Sequence, residues 1–227
     1  MPAERHSFGT RARAVILASG AGSNARNVLA HVAAGNLSLN VVAVISNVGR
    51  AGALEIAREY GIDDRAVVWE RASETRAAYD ARLLEQVASV QPDLVLLLGW
   101  MHLLPPEFLQ RFPETLNVHP AYLPLDPQAD VVEMPDGTTI PALRGAHAVR
   151  DAVRAGLRWS GASVHVVTDA TDRGRILARV PCAVAPGTDE AALTAQIRRL
   201  EFGAVPDAIR VWLGERARKW EEDRHGR

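Results

Sequence analysis

Asn117 and His119 stand two residues apart in Thr115-Leu116-Asn117-Val118-His119, which reads as a β-strand broken at Pro120. Side chains of a strand alternate between faces, so residues i and i+2 share one. A carboxamide donor beside an imidazole suits acyl transfer, in which negative charge gathers on a carbonyl oxygen and preorganised donors stabilise it. No Gly-x-Ser-x-Gly turn presents a nucleophilic serine, and Cys182 lies among Val180, Pro181 and Val184 as a buried thiol. Direct attack by an amine of the substrate, without a covalent acyl-enzyme, is therefore the chemistry expected. Asp172, in Thr171-Asp172-Arg173-Gly174, occupies a loop between two strands. If those strands neighbour the Asn117 strand, its carboxylate favours the imidazolium form of His119 and can take a proton from the attacking amine. A plainer reading stays open, because a strand-end Asn-x-His can serve only to hydrogen-bond loops and Asp-x-Gly is a common turn. His165 alternates within Ser163-Val164-His165-Val166 and fits a satisfied core position as readily as a catalytic one.

A second set of residues suits phosphate. Ser19-Gly20-Ala21-Gly22-Ser23-Asn24 follows the apolar run Ala14-Val15-Ile16-Leu17-Ala18 and precedes a helical spacing of Val28, Leu29 and Val32. Gly20-x-Gly22-x-x-Ala25 fits the relaxed dinucleotide fingerprint, whose glycines let backbone amides approach a pyrophosphate at a helix amino end. A nicotinamide or flavin also needs an acid near the end of the second strand. That strand ends Ile45-Ser46-Asn47-Val48-Gly49, and Glu55 comes too late. Ser23 and Asn24 add a hydroxyl and an amide to the exposed N–H groups, which favours a monophosphate. The alternative is a tight turn capped by Ser23, with no ligand.

These groups need a frame to hold them. The glycine turn joins strand to helix, and residues 41–45 and 53–60 repeat that pattern. Val67-Val68-Trp69 suggests a short strand, and Ser73 is a candidate N-cap for a helix with Tyr79, Leu83, Val87 and Val90 on one stripe. Leu94-Val95-Leu96-Leu97-Leu98 is apolar at every position, as in a central parallel strand covered on both faces. A short helix from Pro105-Pro106-Glu107-Phe108 separates it from the Asn117 strand. Such alternation predicts an α/β fold: a doubly wound, mostly parallel sheet with right-handed crossovers and ligands beyond the carboxyl ends of its strands. The glycine turn, Trp100, Asn117 and His119 fall at such ends.

Between 125 and 143 the alternation lapses, and Val131-Val132 and Thr138-Thr139-Ile140 flank Pro135-Asp136-Gly137, which predicts a small β-hairpin insertion. A helix over 146–155 follows, then strands over 162–167 and 176–184 in antiparallel order. A terminal helix begins at Thr188-Asp189-Glu190, with Pro206 as a kink or boundary. The division expected is a disordered tail at 1–12, a single domain at 13–217, and a charged tail at 218–227.

Composition narrows the partners. The 227 residues are 48% hydrophobic and 23% charged, and Lys+Arg 26 against Asp+Glu 27 leaves a net charge of -1. Such a chain folds, and it has no global attraction for nucleic acid or anionic lipid, so no nucleic acid and no membrane are expected as partners. The apolar run 94–101 is far shorter than the roughly 20 residues that span a bilayer. Met1-Pro2-Ala3-Glu4-Arg5-His6 lacks the apolar segment of a signal peptide, and a cytoplasmic location is the expectation. The single cysteine rules out an internal disulfide and a cysteine-cluster zinc site, and no histidine or carboxylate grouping has ligand spacing, so no metal is expected. Small-molecule substrates remain, with the chain a monomer or homodimer.

From about Arg13 to Leu213 the chain resembles the glycinamide ribonucleotide formyltransferases, the folate-dependent transferases of purine synthesis. The resemblance rests on Ser19-Gly20-Ala21-Gly22-Ser23-Asn24, Gly99-Trp100-Met101-His102-Leu103-Leu104, Asn117-Val118-His119-Pro120, Ser163-Val164-His165 and Thr168-Asp169-x-x-Asp172-x-Gly174. It implies a Rossmann-like formyltransferase fold, 10-formyltetrahydrofolate as formyl donor, and the amine of glycinamide ribonucleotide as acceptor. It further implies that Gly22, Ser23 and Asn24 hold the phosphate, with Glu201 near the ribose or amine end. Arg76 would help recognise substrate on the folate side, and Met101, His102, Leu103 and Leu104, together with Asn117, would meet the pterin, the loop through its backbone. Asn117, His119 and Asp172 become a catalytic trio: Asn117 and protonated His119 steady the formyl oxygen, while Asp172 maintains His119 and assists proton transfer.

Three departures from that family stand out. His102 replaces the usual arginine after methionine. Residues 125–143 precede Arg144-Gly145-Ala146-His147, where the family normally reaches Pro-Gly-x-His within a few residues. The family's Asp-Gly-Gly-Pro turn appears as Asp172-Arg173-Gly174-Arg175, and its two added charges are expected to bind phosphate or a folate polyglutamate tail, or to change the substrate. Two other functions stay open: transfer to another amine such as an amino-sugar nucleotide, and noncatalytic folate or nucleotide binding with the insertion occluding the site. The extra carboxyl-terminal domain of methionyl-tRNA formyltransferases and the extra amino-terminal domain of formyl-folate hydrolases are not expected here.

Overall fold

In the computed structural model, which describes residues 11–225, the chain begins β1 (Ala12–Leu17), α1 (Ser23–Ala33), β2 (Leu39–Ser46), α2 (Gly52–Glu59) and β3 (Asp63–Ala66). It continues α3 (Arg76–Ala88), β4 (Leu94–Leu97), α4 (Pro106–Arg111) and β5 (Thr115–His119). A hairpin of β6 (Val131–Glu133) and β7 (Thr139–Pro141) follows, then α5 (Ala148–Arg154), β8 (Trp159–Val166), β9 (Ile176–Ala183) and α6 (Glu190–His225). The main sheet has the order β3-β2-β1-β4-β5-β8-β9. Its first five strands are parallel, while β8 runs antiparallel to both β5 and β9. Strand order reverses between β1 and β4, and the crevice beyond the carboxyl ends there is where α/β sheets of this kind bind ligands.

The alternation of side chains in the central strands requires cover on both faces. Ala14, Ile16, Leu94 and Leu96 pack into one core with Val28, Leu54, Ala204, Val205 and Ile209. Val15, Leu17, Val95 and Leu97 enter the other with Tyr79, Leu83, Val87 and Phe108. The stripe on α3 is thus the face buried against the sheet, as its spacing predicts.

The structure differs from the sequence reading at several boundaries. The third strand is Asp63–Ala66 rather than 67–69. As the sheet's edge it pairs only with β2 and tolerates polar residues, whereas Val67 follows the strand into the second core. Thr75, not Ser73, caps α3: its side chain accepts from the Ala78 N–H at 3.2 Å. Pro206 neither ends nor divides α6. A proline cannot donate to the carbonyl four residues back, and here Asn27 Nδ2 donates to that Phe202 carbonyl at 2.8 Å instead. Pairing of β1 begins at Ala12, within the segment read as a tail, while residues 1–10 lie outside the described residues. The charged end, expected to be a solvated helix, agrees with that reading and is helical as far as His225.

Candidate active site

The cavity at the switch point has a volume of about 530 Å³, within the range of small-molecule sites. One end is the turn into α1. Gly22 caps that helix with φ 78 and no side-chain cap bond, so Ser23 is the first helical residue and does not satisfy the amino-end amides. Ser23 is therefore not the cap of this turn. A Cβ on Gly22 would sit 2.6 Å from Ala53 Cα, so both its conformation and its surroundings require glycine. Asn24 and Glu201 line the same end, where Asn24 Nδ2 donates to Glu201 Oε2 at 2.7 Å. Asn24 Oδ1 is buried without a hydrogen-bond partner. Burial pushes the Glu201 carboxyl above its ordinary value, against the Asn24 bond and the charge of Arg198.

At the centre, β5 presents Asn117 and His119 on one face, and the antiparallel register with β8 sets His165 directly opposite Asn117. Asn117 Nδ2 lies 3.3 Å from His165 Nε2. Asp172 sits between the two histidines: Oδ2 is 3.4 Å from His119 Nδ1 and Oδ1 is 3.3 Å from His165 Nε2. Asp172 Oδ2 also accepts the Gly145 N–H at 2.7 Å. Burial raises the Asp172 pKa, but the His165 contact, the charge of His119 and the Gly145 amide outweigh it and bring the carboxyl to about 2. Gly174 lets this turn close on β8, since a Cβ there would fall 1.6 Å from the Val166 carbonyl oxygen.

At His119 burial and the neighbouring acceptors act in opposite directions. Burial is the largest influence on the ring and lowers its pKa, with His165 and Arg144 adding to that and Asp172 and the Leu143 carbonyl opposing. The ring nonetheless faces an acceptor at each nitrogen, the Asp172 carboxylate at Nδ1 and the Leu143 carbonyl at Nε2. Its Nε2 lies 2.8 Å from the Leu143 carbonyl oxygen, which places the hydrogen on Nε2.

The pattern of formyl transferases matches residues 12–209. The chain belongs to the formyl transferase family. It is 40% identical over 202 residues to a phosphoribosylglycinamide formyltransferase of Mycobacterium tuberculosis, covering 86% of this chain and 83% of that protein. The enzyme of the same name from Escherichia coli is 31% identical over 210 residues, 92% of this chain and 90% of the relative. Among solved structures, glycinamide ribonucleotide transformylase 1 from Symbiobacterium toebii superposes with a TM-score of 0.80 at 31% identity, over 95% of this chain and 94% of that one.

Other residues of this formyl transferase fall around the cavity as follows. Met101, His102, Leu103 and Leu104 line it, with Met101 66% and Leu103 73% exposed. The Met101 N–H is tied to Ser19 Oγ at 2.9 Å, joining this loop to the β1 turn. His102 packs edge-on to Trp69, Tyr79 and Trp100, and its Nδ1 lies 3.2 Å from the Tyr79 hydroxyl. Burial, aided by Arg76 and Arg71, lowers its pKa. Arg76 is not on the cavity wall: it binds Asp80 and donates to the Leu103 carbonyl, supporting the loop from behind. Arg173 and Arg175 are not on the cavity wall either, and are paired with Asp130 and Glu215. His165 is the residue the sequence left undecided, and its cross-strand register with Asn117 is what joins it to the site. Among the described residues, no group of three or more His, Cys, Asp or Glu is arranged to hold a metal, and no helix is long and apolar enough to cross a membrane.

Proposed function

We propose that this chain transfers a formyl group from 10-formyltetrahydrofolate to the amine of glycinamide ribonucleotide, acting in the cytoplasm as a monomer or homodimer. The observation that carries this reading is one cavity shared by Asn117, His119, Asp172 and the open amino end of α1. A phosphate at the Gly22-Ser23-Asn24 end fits the unsatisfied amides there, and Glu201 is an acceptor for ribose hydroxyls. The other end suits a flat pterin, with Leu97, Leu104 and Leu109 as apolar walls and the loop from 101 to 104 at its rim. When bound, the folate supplies an activated formyl carbon.

Asn117 Nδ2 and His119 Nε2 are the donors for the formyl oxygen as it gathers charge. The His119 N–H spends its resting state on the Leu143 carbonyl and must be shared with, or given up to, that oxygen. Its ring can hold at Nδ1 the proton released by the attacking amine, where the ionised Asp172 carboxylate stabilises the imidazolium, and that proton passes on to the folate nitrogen as its bond to the formyl carbon breaks. The carboxylate remains charged throughout, because its pKa of about 2 is far below working pH. In the test, glycinamide ribonucleotide and an amino-sugar nucleotide are each incubated with formyl-folate and the formylated product is measured. Formylation of the ribonucleotide supports the proposal. Formylation of the amino sugar alone, or binding without transfer, contradicts it.

A further inference from the structure

We propose that Asp130, Arg144 and Arg173 form a positioning cluster through which the 125–143 insertion holds Asp172 and the backbone of 143–145 against His119 and His165. This rests on the formyl-transfer reading of the site. Asp130 Oδ1 accepts from Arg173 Nη2 at 2.5 Å and from Arg144 Nη1 at 3.1 Å. Arg144 then spans the gap, its Nη2 donating to the Ala129 carbonyl at 2.7 Å and its Nε to the Asp172 carbonyl at 3.2 Å. Arg173 Nη1 donates to the Pro127 carbonyl at 2.9 Å. Both arginines flank groups that touch the imidazoles. Leu143 supplies the carbonyl on His119 Nε2, and Gly145 supplies the N–H on Asp172 Oδ2.

Two features separate this arrangement from ordinary loop packing. Asp172 has φ 52, a left-handed conformation that is uncommon for a non-glycine residue though more accessible to Asp than to most, and Arg144 grips its carbonyl. The hairpin is also anchored without Asp130: Val132, Met134 and Ile140 pack with Tyr122, Leu157 and Trp159, and Trp159 Nε1 donates to Asp136 Oδ2 at 2.8 Å. Asp130 itself is 75% exposed, so its pairs add little to folding. Their effect falls on where Asp172 points. The charge of Arg173, an anomaly in the sequence, is thus matched by an acid from the insertion, itself an anomaly.

Asp130→Ala leaves two guanidinium groups facing each other beside the Asp172 turn. The groups facing Asp172 are His119 from β5, His165 from β8, and Arg144 with the Gly145 amide from the segment after β7. Expected for this variant is a kcat lowered roughly tenfold, of the order typical for coupled neighbours, with KM for both substrates nearly unchanged. The imidazole NMR signal of His119 titrates with an altered midpoint, and Asp130→Glu restores both kcat and the titration. Unfolding temperature stays close to that of the unaltered chain. An unchanged His119 titration in Asp130→Ala would overturn the inference, as would a loss of kcat that only tracks a large fall in unfolding temperature. Because the titration needs no substrate, an altered midpoint in a chain that never formylates the ribonucleotide would refute the functional reading and leave the cluster's role intact.

Discussion

His165 Nε2 lies 3.3 Å from Asp172 Oδ1, and that contact makes a single carboxylate the common neighbour of two buried imidazoles. His165 also meets Asn117 across the β5–β8 pair and sets its Nδ1 2.8 Å from the Val166 carbonyl. Its ring thereby lies against both the amide and the acid of the proposed trio, with Nε2 able to hydrogen-bond one of them at a time. Replacing it with phenylalanine keeps the volume and removes these contacts. A hydrogen bond to a charged group contributes roughly 1.5–3 kcal/mol, so His165→Phe is expected to lower kcat by about 10- to 100-fold with little change in KM. Steady-state kinetics on both substrates check this, and an unaltered kcat would make His165 a core residue only.

Glu201 gives a pH signature. Its carboxyl is raised by burial above the ordinary 4.5. A group raised in the folded state contributes stability fully present below its unfolded pKa and lost as pH rises through the folded one. Glu201→Gln removes the buried charge while retaining an oxygen for Asn24 Nδ2. Thermal unfolding should therefore show the variant more stable than the unaltered chain at pH 8, with the advantage gone near pH 4. The same variant should raise KM for the ribonucleotide, since an amide oxygen accepts ribose hydroxyls less strongly than a carboxylate. An equal stability difference at both pH values would show that the Glu201 carboxyl is not raised.

What was legible in the sequence was whatever repeats with a period or needs a special backbone. The fully apolar Leu94-Val95-Leu96-Leu97-Leu98 run marked a central strand, Asn117 and His119 shared a face because strands alternate, and Pro135-Asp136-Gly137 marked the hairpin turn. Contacts set by tertiary register were not legible. Nothing local to Val164-His165-Val166 says that β8 will lie beside β5, and nothing near Arg173 says that Asp130 will return to meet it. The balance of influences on His119 was not legible for a related reason: a nearby carboxylate can be inferred from sequence, but the extent of burial that opposes it cannot. That Pro206 would not be a boundary was not legible, because its cost in a helix is a lost hydrogen bond and the replacement donor, Asn27, comes from a different helix.

That replacement can be measured. Asn27→Ala leaves the Phe202 carbonyl without either its helical partner or the amide, at a cost of about 1–3 kcal/mol for a polar group left unsatisfied. Urea unfolding should show that loss in Asn27→Ala and recover most of it in the double variant Asn27→Ala/Pro206→Ala, where residue 206 regains its N–H. Equal effects of the asparagine substitution in both backgrounds would mean that the two residues are not coupled.

The role of Asn117 is the most direct measure of the chemistry. A single donor to the charge that develops in acyl transfer is worth on the order of 10²–10³ in turnover, and Asn117 is exposed enough to lose its amide without opening the core. Single-turnover formylation of glycinamide ribonucleotide by Asn117→Ala, with ligand affinities measured alongside, should show that rate constant reduced by about 10²–10³ and both affinities nearly unchanged. A rate constant equal to that of the unaltered chain would contradict the assignment of this amide to the formyl oxygen.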